Sequence, residues 1–314
     1  MRFHPEDSVI LEKANNTIWL VSDQICKGTL SDNLYSFDDF ARPAAILSRS
    51  INDTIRGLFE FALQAYTTFE HFWEPVYDNA YMTANGAIST DIMYILGDAL
   101  MAFAANQPTD EERYLWMRGF KRWVERFTSH SPGTAEGIKP DGSGFHHWTA
   151  YDNYMYAFKN TSKILYCLTG TSFQIGKENY LRFRDAVYAQ IIFGNDARLK
   201  PLSMAGRKPN QRDAQYTETS LKHLAVAGGQ ILGLPTADTI LAGEYNRLFN
   251  SSAELNYTLE APLSRSSGYF QFNYANLGVY RKDGWLAGMK GFTKGLWGAE
   301  LYPTANRYGR YQSY

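Results

Sequence analysis

The residues best suited to chemistry share one stretch, 137–160, GIKPDGSGFHHWTAYDNYMYAFKN. It begins with a turn-forming run, Lys139-Pro140-Asp141-Gly142-Ser143-Gly144, and then sets down His146, His147, Tyr151, Tyr154 and Tyr156. Turn chemistry followed by imidazoles and phenols predicts a loop that presents proton-transfer groups rather than a core element. His147 and Tyr154 are seven positions apart. A helix would set them two turns apart on one face, and a loop could bring them closer. An elimination beside a carboxylate needs such a pair: a base for the carbon acid and an acid for the leaving oxygen. Histidine titrates near neutrality, whereas tyrosine, with a pKa of about 10, serves as a base only where positive charge lowers that value. The bland alternative is a surface loop with ordinary hydrogen bonds.

Arg207 is the candidate for that positive charge. It stands between Gly206 and the turn Lys208-Pro209-Asn210. An arginine held in a Gly/Pro loop suits a carboxylate or sulfate, because its fork meets both oxygens; a solvated surface arginine is the other reading. The run Asn306-Arg307-Tyr308-Gly309-Arg310-Tyr311-Gln312-Ser313 interleaves Arg307 and Arg310 with tyrosines. Such a run lines a cleft for an anionic polymer or pairs with acids across a sheet. Glu300, after Trp297-Gly298-Ala299, is a single carboxylate with nothing distinctive around it. Carboxylates for a glycosidase exist at Glu136, Asp141, Asp152 and Asp213, but sequence does not give their separation. There is no HExxH, no clustered Cys/His set, no GxSxG elbow and no phosphate-binding P-loop. Adjacent His146 and His147 lack the usual spacing of two metal ligands on one helix face.

The elements that must position these groups are mostly helical. Residues 8–26 carry apolar positions at helical spacing, with Asp7 or Ser8 as the cap. Pro43 is expected to precede a long helix through Ile46, Leu47, Ile51, Ile55, Leu58, Phe59, Leu63 and Tyr66. Further helices are expected over 88–105, over 110–127 behind the box Thr109-Asp110-Glu111-Glu112, and over 162–168, 178–193, 213–228 and 236–249. Short connections between successive helices predict antiparallel helix pairs. The pattern changes near Ala261-Pro262. Short strands are expected at 269–272, 277–280 and 285–289, with Arg281-Lys282-Asp283-Gly284 as a hairpin turn. So few strands do not make an independent sheet. They either begin a larger β domain or lie on the helical body.

Composition narrows the class. At 314 residues, 45% hydrophobic and 20% charged, the chain suits a soluble protein with a sizeable core. Aromatics at 15% fit either sugar stacking or the filling of a helical core. A net charge of −1, with no basic stripe, argues against a nucleic-acid partner and leaves room for a local basic cleft. Cys26 and Cys167 are in no metal or redox spacing and are expected as two buried thiols, with a disulfide as the alternative that sequence does not decide. No apolar run is long enough to span a membrane. The opening residues MRFHPEDSVILEK lack the apolar core of a signal peptide. That leaves a cytoplasmic protein, or one whose leader and preceding domain lie outside this sequence.

Five stretches, in order, resemble the chondroitin sulfate ABC lyases of the hyaluronate/chondroitin/xanthan lyase family. They are Ile138-Lys139-Pro140-Asp141-Gly142; a His and a Tyr seven apart; Ala157-Phe158-Lys159-Asn160; Ala205-Gly206-Arg207 with Pro209; and Glu300 ahead of the 306–313 run. The resemblance covers roughly residue 90 to the end and, more loosely, the N-terminal helices. It implies a mainly α fold: an incomplete α/α toroid of antiparallel helical hairpins over 1–262, followed over 263–314 by the first strands of an antiparallel β domain. It implies His147 and Tyr154 as the catalytic histidine and tyrosine, Arg207 as the active-site arginine, and Glu300 as the glutamate that orients them. Asn85, in Thr83-Ala84-Asn85-Gly86, is the candidate for the asparagine that neutralises the substrate carboxylate in chondroitin AC-type relatives. His146, Arg307 and Arg310 would join it in binding substrate. His146 stands where a close relative has arginine, which swaps a fixed charge for a titrating one. Between Tyr154 and Ala157 the chain is one residue shorter than that relative. Read without the gap, His146 and Asn153 would take the two catalytic places, a pair that makes less chemical sense.

The implied activity is β-elimination on an anionic glycosaminoglycan, chondroitin or dermatan sulfate with hyaluronan as a further candidate. The product would be a 4,5-unsaturated uronate. The implied setting is periplasmic or secreted, as a monomer, with no required cofactor, a divalent cation left open, and no nucleic-acid or membrane partner. Two other readings stand beside it: a glycan-binding fragment without turnover, and a glycoside hydrolase on a similar helical toroid.

Overall fold

Asp7 starts the first helix: its Oδ1 accepts the N–H groups of Val9 at 3.0 Å and Ile10 at 3.2 Å, satisfying donors that a helix start leaves open. The computed structural model describes residues 7–28, 34–67, 69, 88–146, 151–152, 155–201, 204, 213–249, 266–282, 284–293 and 296. The chain divides into two compact units, one of 1–78 with 91–123 and one of 79–90 with 124–314.

In the first unit lie α1 (Ser8–Cys26), α2 (Leu34–Leu47) and α3 (Asp53–Thr67), most of α4 (Thr90–Ala105), and α5 (Asp110–Phe127) as far as Trp123. Helix α5 begins with the expected box: Glu112 Oε2 accepts the Thr109 N–H at 3.0 Å, and Thr109 Oγ1 accepts the Glu112 N–H at 3.1 Å. The core is aromatic. Phe103 meets Phe59 edge-on at 5.5 Å and Trp116 edge-on at 4.8 Å, and Phe69 stacks on Trp116 at 5.2 Å.

Two expectations are corrected here. Pro43 does not precede a helix but sits inside α2. The break comes later, where Ser48–Ser50 tighten into a 3-10 turn and Asn52 restarts the helix by accepting the Thr54 N–H at 2.8 Å. A proline removes one helical donor, whereas an Asn cap defines a new start. The cysteines are also not buried: Cys26, in the last turn of α1, and Cys167 are both free and exposed.

In the second unit lie α6 (Phe158–Leu168), α7 (Lys177–Phe193), α8 (Glu218–Leu232) and α9 (Thr239–Phe249). Helix α8 packs on both α6 and α9. It starts five residues later than its apolar pattern suggests, because Thr217 and Ser220 cap each other's backbone N–H groups there. Tyr180 of α7 is fully enclosed and donates to Asp238 Oδ2 at 3.0 Å. The other oxygen of Asp238 accepts the Ile240 and Leu241 N–H groups, so one carboxylate joins α7 to the start of α9.

The strands are β4 (Gly268–Phe272), β5 (Leu277–Lys282) and β6 (Trp285–Lys290), an antiparallel sheet in that order. Lys282 pairs with Trp285, and Gly284 between them has φ +80°, a left-handed value that glycine adopts at little cost. Leu277, Val279 and Phe272 face inward on Ala189, Ile192 and Phe193 of α7. The sheet therefore lies on a helix, which supplies the burial that three strands lack by themselves. Arg281 locks the contact. Its Nη1 donates to the carbonyls of Ile191, Ile192 and Gly194 at the end of α7, and its Nε donates to Ser266 O at 2.9 Å. A cation there meets the carbonyls that a helix end leaves unpaired. The mainly α composition, with an antiparallel sheet toward the C-terminal end, is as expected. No helix among the described residues is long and apolar enough to cross a membrane.

Two helical glycines give opposite expectations. A Cβ at Gly228 in α8 would fall 1.8 Å from the Tyr180 hydroxyl and 2.8 Å from Asp238 Cβ, whereas one at Gly57 in α3 meets nothing within 4 Å. Gly228→Ala should lower stability by about 1–3 kcal/mol, or abolish folding, while Gly57→Ala should raise it by about 0.5–1 kcal/mol. Chemical denaturation of both variants checks the pair.

Candidate active site

The run Lys139–Gly144 turns a hairpin. Strand β1 (Gly137–Ile138) pairs antiparallel with β2 (Gly144–His146), and β2 pairs with β3 (Tyr151–Asp152). Lys139 donates its N–H to Ser143 O at 2.8 Å, and Gly142 donates to Lys139 O at 2.9 Å. Asp141 closes the turn from inside, its Oδ1 accepting the Ser143 N–H at 3.0 Å and the Ser143 hydroxyl at 2.6 Å. Its Oδ2 accepts the Tyr274 N–H at 2.8 Å, tying the turn to the loop between β4 and β5. At Gly142, with φ +81°, an added Cβ would fall 2.9 Å from the Asp185 carbonyl of α7. Helix and sheet thus both fix the hairpin.

Lys139 points inward and has no exposed surface. Its ammonium donates to Ser131 Oγ at 2.7 Å and to the Ala135 carbonyl, and it lies 5.0 Å above the Phe145 ring. Loss of hydration pushes its pKa down to about 8, with the Asp141 carboxylate opposing the shift.

At the other end of the hairpin, His146 is also enclosed, at 0% exposure. Its Nδ1 lies 2.9 Å from Glu136 Oε1, and its ring meets Tyr156 edge-on at 5.4 Å. The same Glu136 oxygen accepts the Thr90 N–H at 2.7 Å, at the start of α4. Thr90 Oγ1 donates to Met155 Sδ at 3.7 Å. Met155 in turn fills the space beside Gly144, where a Cβ would fall 2.7 Å from Met155 Cγ.

His147, Tyr154, Arg207, Glu300, Asn85, Arg307 and Arg310 lie outside the described residues. The described flanks show how three of them are approached. His146 and Met155 bracket His147 and Tyr154. An antiparallel bridge between Leu199 and Asp213, with the Ala214 N–H donating to Arg198 O at 2.9 Å, brings together the ends of the segment that carries Arg207. Of the expected substrate-binding set only His146 is described. Strand β2 turns its ring inward onto Tyr156 and Glu136, so a direct sugar contact would require it to leave that enclosure.

Of the four carboxylates considered for hydrolysis, Asp141 is committed to the hairpin turn and to Tyr274, and Glu136 to Thr90 and His146. Glu136 and Thr90 were not expected as anchors. A signal existed: with Gly137 opposite Phe145, the same antiparallel register sets 136 opposite 146. Among the described residues no three of His, Cys, Asp and Glu come together as a metal site.

A family model described as "Lyase, catalytic" matches residues 63–254, more than half of the chain, and the chain belongs to that family. It is similar to the chondroitin sulfate ABC endolyase of Proteus vulgaris, 29% identical over 239 residues, which make up 73% of this chain and 22% of that protein. It is similar also to a chondroitin sulfate ABC exolyase of the same organism, 28% identical over 235 residues, 72% of this chain and 23% of that one. The chain therefore spans less than a quarter of the length of these curated relatives. A Paenibacillus xanthan lyase structure superposes with a TM-score of 0.49 at 12% identity, over 94% of this chain and 36% of that one, too slight a likeness to bear on the fold.

The Lys139 charge makes a pH prediction. Its ordinary pKa is near 10.5 and its folded value is about 8. Between those values the unfolded chain holds a proton that the folded chain has released, so this group's share of stability rises with pH across that window. Relative to Lys139→Met, the parent should gain thermal stability from about pH 8 to 10.5, the interval set by the two pKa values. A melting-temperature difference that stays constant across the window would show that the ammonium is hydrated.

Proposed function

We propose that this chain is the catalytic portion of a polysaccharide lyase that cleaves uronic-acid glycosaminoglycans by β-elimination. One coincidence carries the reading: the lyase-family match runs through the segment holding His147 and Tyr154, and both flanks of that segment are buried and tied to each other. The domain layout proposed is a helical catalytic domain, an incomplete α/α toroid over 1–262, leading at 263 into an antiparallel β domain. The substrate class proposed is chondroitin and dermatan sulfate, with hyaluronan tested beside them. The similarity to chondroitin ABC lyases supports that class. The protein acts in the periplasm or outside the cell, as a monomer.

The mechanism follows from what the elimination demands. Arg207, with Asn85, binds the uronate carboxylate and stabilises the negative charge that develops as the C5 proton leaves. His147 or the ionised Tyr154 takes that proton, and the Arg207 charge is what makes ionised tyrosine accessible. Which of the two acts depends on whether the uronate is glucuronate or iduronate, whose C5 hydrogens lie on opposite faces. Tyr154 as the acid protonates the glycosidic oxygen at C4 as the C4–O bond breaks. The electron pair of the C5–H bond becomes the 4,5 double bond, so no external electron acceptor is needed. Glu300 orients Tyr154 and Arg207, and Arg307 and Arg310 bind the anionic chain.

Product analysis on chondroitin, dermatan and hyaluronan, by ultraviolet absorbance of the unsaturated uronate, tests the reading. Absorbance supports a lyase. New reducing ends without it indicate a hydrolase, and binding with neither product indicates a glycan-binding module. Tyr154→Phe should lower turnover by at least about 100-fold, the scale of a lost general acid, with affinity largely kept. Glu300→Gln should reduce kcat more than it raises KM. Near-normal rates in either variant would remove that residue from the site.

A further inference from the structure

The residues flanking 147–154, the segment that carries His147 and Tyr154, are joined through one carboxylate oxygen. On one side, Glu136 Oε1 lies 2.9 Å from Nδ1 of His146, the residue before His147. On the other, the same oxygen accepts the Thr90 N–H at 2.7 Å, and the Thr90 hydroxyl reaches Sδ of Met155, the residue after Tyr154, at 3.7 Å. The two flanks also touch: His146 meets Tyr156 edge-on at 5.4 Å, and Met155 packs on Gly144. Thr90, His146 and Met155 have no exposed surface, so none of them can swing into solvent without opening the packing. A carboxylate at a helix start is favoured, and hydrogen bonds to an ionised group are strong.

The hairpin does not need this carboxylate to close. Its turn is built by Lys139, Asp141 and Ser143, and the β1–β2 register is made by backbone pairing. Glu136 adds something different, a bridge from Thr90 to the flanks of the reactive segment. Two groups that must act on one sugar ring need their separation fixed, and an error of about 1 Å can cost about 100-fold in rate.

We propose that Glu136 is a positioning residue for the elimination: it ties His146 on one flank to Thr90 and Met155 on the other, and turnover by the segment that carries His147 and Tyr154 depends on that tie. The inference rests on the lyase reading above.

The test uses Glu136→Gln, Glu136→Ala, His146→Ala and the double variant Glu136→Ala/His146→Ala in the 314-residue chain. Each is assayed for kcat and KM on chondroitin and for thermal denaturation. Glu136→Ala should lower kcat about 100-fold, with KM within about twofold of the parent. Glu136→Gln, which keeps an acceptor but not the charge, should fall between. The double variant should be no slower than the slower single variant, because both substitutions cut one chain of contacts. Losses that multiply, a change confined to KM, or a kcat per folded molecule equal to the parent's would each overturn the proposal. If Glu136→Ala does not fold, the nearly isosteric Glu136→Gln decides by the same comparison of kcat with KM. An unaltered chain that yields no unsaturated product overturns the lyase reading and this inference together. An active parent with Glu136 variants at the parental kcat overturns the inference alone.

Discussion

The ammonium of Lys139 is taken wholly out of water, and the hairpin is shaped by the need to satisfy it. An unpaired buried charge is among the costliest things a fold can contain. Among the described residues no carboxylate touches this one. The chain at Ser131–Ala135 instead curls so that a hydroxyl and a carbonyl face the ammonium, and the Phe145 ring supplies its electron-rich face. Phe145 pairs with Gly137 and, across the next strand, with Asp152. A displaced Lys139 would therefore disturb the strand that ends at His146.

The sheet depends on the helices in a similar way. Three short strands cannot exclude water from both faces, and here one face is closed by α7. Arg281 answers a requirement of the helix rather than of the sheet, because the carbonyls at the end of α7 need donors. Helix and sheet thus complete each other. The Asp141–Tyr274 bond carries that union on to the hairpin turn.

Much of the architecture could be read from residue patterns, and the misses have physical causes. Helices with a strong apolar period and a side-chain cap, such as those begun by Asp7 and Thr109, lie where expected. The break near residue 48 was misplaced because proline tolerance inside a helix depends on packing that the local sequence does not contain. Lysine usually stays in solvent, so the burial of Lys139 has no local signature. The candidate site divides similarly. The residue types and the seven-residue spacing of His147 and Tyr154 were plain, and family resemblance gave them roles. The Glu136 bridge was latent in the strand register but invisible to any motif, because it joins residues 46 positions apart in chain order.

The exposed cysteines carry a practical consequence. The chain has two thiols, and each compact unit holds one of them, Cys26 in the first and Cys167 in the second. Partial burial and the neighbouring Asp23 carboxylate push the Cys26 thiol up, which slows its attack on an electrophile at neutral pH. A maleimide dye pair can therefore be attached to the native sequence, one dye on each unit.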